Sequence, residues 1–77
     1  MSTEMITFET DSKWFYENVS HLRAQKLVGN FVAIYNKQVI ASNTDIKQVI
    51  TAVEGKGKNP AYLVIEFVHP EGTVVLL

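Results

Sequence analysis

The sequence predicts an α+β fold in the order α-β-β-α-β-β, and three observations carry that expectation. Ile46, Val49, Ile50 and Val53 stand at i, i+3, i+4 and i+7, the spacing of one helical face. Two apolar runs, Phe31–Tyr35 and Val39–Ala41, flank the turn-forming pair Asn36-Lys37. Tyr62–Val68 places Leu63, Ile65 and Phe67 on one face of a strand, and Thr73–Leu77 is almost wholly apolar. Together they predict an antiparallel four-stranded sheet in the order 2-1-3-4, with both helices on one face.

The chain is expected to be a single domain over residues 1–77. In residues 1–10, Ile6 and Phe8 alternate with Thr7 and Glu9, which predicts an N-terminal arm or a short edge strand. Thr10, Asp11 and Ser12 are good N-cap residues placed before an aromatic run. Phe15, Val19 and Leu22 recur at helical spacing behind them, so a first helix is expected over Ser12–Lys26, with Gly29 beyond its end.

Asparagine tolerates φ > 0, so Asn36-Lys37 predicts a two-residue hairpin turn. That turn sets Ile34 against Val39 and Val32 against Ala41 on one face. Phe31, Ala33, Tyr35 and Ile40 fall on the other, and both faces are apolar. Asp45 with Gln48 fits a capping box for the second helix, which Gly55 or Gly57 ends. His69-Pro70-Glu71-Gly72 reads as a turn.

Composition narrows the function classes. A chain of 77 residues buries only about 60% of its unfolded surface, so packing or self-association must supply stability. There is no cysteine, which excludes disulfides and thiolate metal sites. The net charge of −1 argues against general attraction to nucleic acid or to anionic membranes. No apolar stretch approaches the roughly 18 residues of a membrane span, and Met1–Thr10 lacks the pattern of a secretory signal. A cytoplasmic setting is the expectation.

Few residues invite chemistry. Gly55-Lys56-Gly57-Lys58 has glycines and lysines but follows a helix, where the dipole repels anions, so a helix C-cap is expected. His21 has only Glu17 at i−4, and His69 would need Ser42, Thr73 or Glu66 beside it to act. Asp11 and Asp45 read as helix caps. Glu66 interrupts an apolar strand, as an edge charge that discourages aggregation would. Trp14, Phe15 and Tyr16 cannot share one helix face, so Tyr16 should point outward or into a partner.

The segments Trp14-Phe15, Asn18, Leu22 and Gly29-Asn30-Phe31-Val32-Ala33-Ile34 resemble a family of short, uncharacterised prokaryotic domains. In that family an early aromatic residue and an Asn precede a Gly-x-Trp/Phe-Val-Ala hairpin strand. The likeness spans Ser12–Val53. The turn Asn36-Lys37 lacks the family's usual Gly, and Asn43 stands where Gly is common. The resemblance implies the architecture and a cytosolic setting, and brings no catalytic residue.

The functional expectation is a non-enzymatic protein-interaction module without cofactor or metal, forming a homodimer through a sheet face or edge strand. Its candidate surface is Trp14, Tyr16, Tyr62, Val64, Glu66, Val68, Val74 and Leu76. One alternative is an antitoxin-like, nucleic-acid-associated regulator using Lys56 and Lys58 near Lys37. Another is a small-ligand binder built on His69 with Ser42 or Glu66.

Overall fold

The computed structural model describes residues 3–71, with side chains from residue 8. Its elements are helix α1 (Thr3–Ala24), strands β1 (Phe31–Ile34) and β2 (Val39–Asn43), helix α2 (Ile46–Gly55), a 3-10 turn (Pro60–Tyr62) and strand β3 (Val64–Phe67). The fold is therefore α+β, with an antiparallel three-stranded sheet in the order β2-β1-β3. That order is compatible with the expected 2-1-3-4. The fourth strand, Thr73–Leu77, lies outside the described residues.

Helix α1 begins nine residues earlier than Ser12, so residues 5–9 are helical, not an arm or edge strand. Four alternating residues fit a helix as readily as a strand, and here the helix continues through them. The helix closes on a Schellman arrangement. The Leu27 N–H donates to the Leu22 carbonyl (3.2 Å) and the Lys26 N–H to the Arg23 carbonyl (3.0 Å). Lys26 supplies the left-handed residue, with φ +65°. Leu22 and Leu27 then pack in the same apolar cluster, the contact that usually accompanies this cap.

The β1–β2 turn is the expected one. Asn36 and Lys37 have φ +54° and +61°, the signature of a type I′ turn, and Tyr35 and Gln38 exchange backbone hydrogen bonds across it. Ile34 faces Val39 as expected, but Val32 faces Ser42 and Ala33 faces Ala41. Ile40 is the extra residue of a β-bulge, which shifts the register by one. Val39 consequently packs with the α1 side of the sheet, while Ile40 and Ala41 both pack with the α2 side.

The two helices cover opposite faces, which corrects the expectation of both on one face. Phe15 and Leu22 of α1 pack on Val32, Ile34, Val64 and Val68. Val49 and Val53 of α2 pack with Ala33 and Leu63, against half-buried Phe31 and Ile65. The reason is the alternation itself. Val32, Ala33 and Ile34 are consecutive and all fully buried, so each face of β1 needs its own cover.

Candidate functional site

Asp11 is the one buried charged residue among those described, with 2% of its surface exposed. It does not cap α1, because the helix already runs through it. Its Oδ2 accepts from the Asn36 N–H (2.9 Å) and its Oδ1 from the Lys37 N–H (2.8 Å). Two adjacent left-handed residues turn these amides away from the strand ladder, and the carboxylate meets both with charge-assisted bonds. The helix is thereby pinned to the hairpin tip. Sequence reasoning missed this role, since the partners lie 25 and 26 positions away.

Asp45 does cap α2, its Oδ1 accepting from the Lys47 N–H at 2.9 Å. Gly57, with φ +76°, ends the helix region as the Gly55–Lys58 segment predicted. The Lys58 Nζ lies 4.2 Å from the Tyr35 ring centroid, a cation–π contact beside the hairpin turn.

The expected interaction surface divides. Val64 and Val68 are core residues under α1, not surface, and Trp14 packs half-buried against the same cluster. Tyr16 and Tyr62 are exposed. The Tyr16 hydroxyl donates to the Glu66 carboxylate at 3.2 Å, joining α1 to β3. The Glu66 charge, its hydrogen bond to the phenol and slight burial raise the Tyr16 pKa above the ordinary value near 10. Val74 and Leu76 lie outside the described residues.

The residues of the ligand-binding alternative do not converge. Ser42 and Glu66 both stand opposite Val32, on strands either side of β1, which separates their backbones by about 10 Å. The His69 ring packs edge-on to Phe67, 4.8 Å between centroids, and its carbonyl accepts from the Arg23 Nε at 2.8 Å. Among the described residues no three His, Asp or Glu side chains are grouped to hold a metal ion, and no helix is long and apolar enough to cross a membrane. Lys37 and Lys58 both lie near the hairpin turn, but Lys58 is engaged by Tyr35.

The chain matches no protein-family model, no curated protein and no solved structure.

Proposed function

We propose that this chain is a small, non-enzymatic, cytoplasmic protein-interaction module that self-associates through a strand edge of its sheet. The observation that carries the reading is the placement of the helices. Each face of the sheet has its own helix, so the apolar surplus that first suggested a face-to-face dimer is used within the chain. What is left for pairing is an edge, and backbone groups on an open edge are a general template for a second strand.

The finer sheet belongs to the same reading. Thr73–Leu77 adds as a fourth strand along the outer edge of β3, completing the order 2-1-3-4. The turn His69–Gly72 is long enough for that antiparallel return. Strand β2 then remains as the open edge.

Sedimentation velocity from micromolar to several hundred micromolar tests the proposal. A concentration-dependent dimer is the expected result. A strict monomer over that range would sink it.

A further inference from the structure

We draw no further inference here: the strongest candidate, the surface patch of half-buried rings Phe31, Phe67 and His69 at the end of the sheet away from the hairpin turn, carries none, because nothing in the structure shows what covers it.

Discussion

Asp11 shows how far one residue's role can depart from its local reading. Beside Thr10 and Ser12 it looks like a helix cap; in the fold its two oxygens hold the two turn amides of Asn36 and Lys37. Removing it leaves two N–H groups without their acceptor. Asp11→Ala should cost about 2–4 kcal/mol, read from urea unfolding, at roughly 1–3 kcal/mol per amide left unpaired and partly regained from water. A loss below half a kcal/mol would mean that the pin is unimportant. Tyr16 offers a second check at this scale. Its neutral phenol is favoured by Glu66, so its ionisation should lie above that of a free tyrosine, and Glu66→Gln should move it back down. The sign follows: whatever stability this exposed bond adds is present below the ordinary tyrosine pKa and fades as pH rises through the raised one. Tyrosinate absorbance during alkaline titration reads the shift, and an unchanged midpoint in Glu66→Gln would refute it.

At the scale of elements, α2 and the hairpin were legible because their signals are local. The Ile46–Val53 stripe, the Asp45 cap and the Asn36-Lys37 turn each depend on residues a few positions apart, and each stands where the spacing puts it. The stripe is only half used, since Val49 and Val53 are buried while Ile46 is exposed. The start of α1 and the bulge at Ile40 were not legible. Nothing local distinguishes an N-cap aspartate from one reaching across the fold, and a bulge is set by how two strands meet two helices. The end of α1 carries a prediction. Lys26 occupies the left-handed cap position with φ +65°, where a side chain is strained. Lys26→Gly should stabilise the fold by about 0.5–1 kcal/mol, read as a higher urea midpoint. No gain, or a loss, would show that the lysine side chain contributes more than its backbone strain costs.

For the whole molecule, α1 is the cover of one face of the sheet, as α2 is of the other. It shields Val32, Ile34, Val64 and Val68, and it is anchored at three heights: Asp11 to the turn, Tyr16 to Glu66, Arg23 to the His69 carbonyl. Leu22, fully buried in that contact and the bulkiest of its fully buried side chains, is its most sensitive point. Leu22→Ala should cost about 2–5 kcal/mol, a large share of the stability of so small a domain, and should increase binding of a dye that reports exposed apolar surface. A variant as stable as the wild type would show that α1 does not seal this face.

The sequence by itself determined the class of fold, the two-residue hairpin turn, the second helix with its cap, and the faces of β3, because periodicity and turn chemistry act over a few residues. It also pointed to a surplus of apolar strand surface. Only the tertiary structure decided where that surplus goes. The pattern says that a face is apolar and cannot say what covers it, since the cover is chosen by contacts between distant segments. Here α1 folds onto the side opposite α2, Asp11 fastens it to the hairpin, and the strand faces become core.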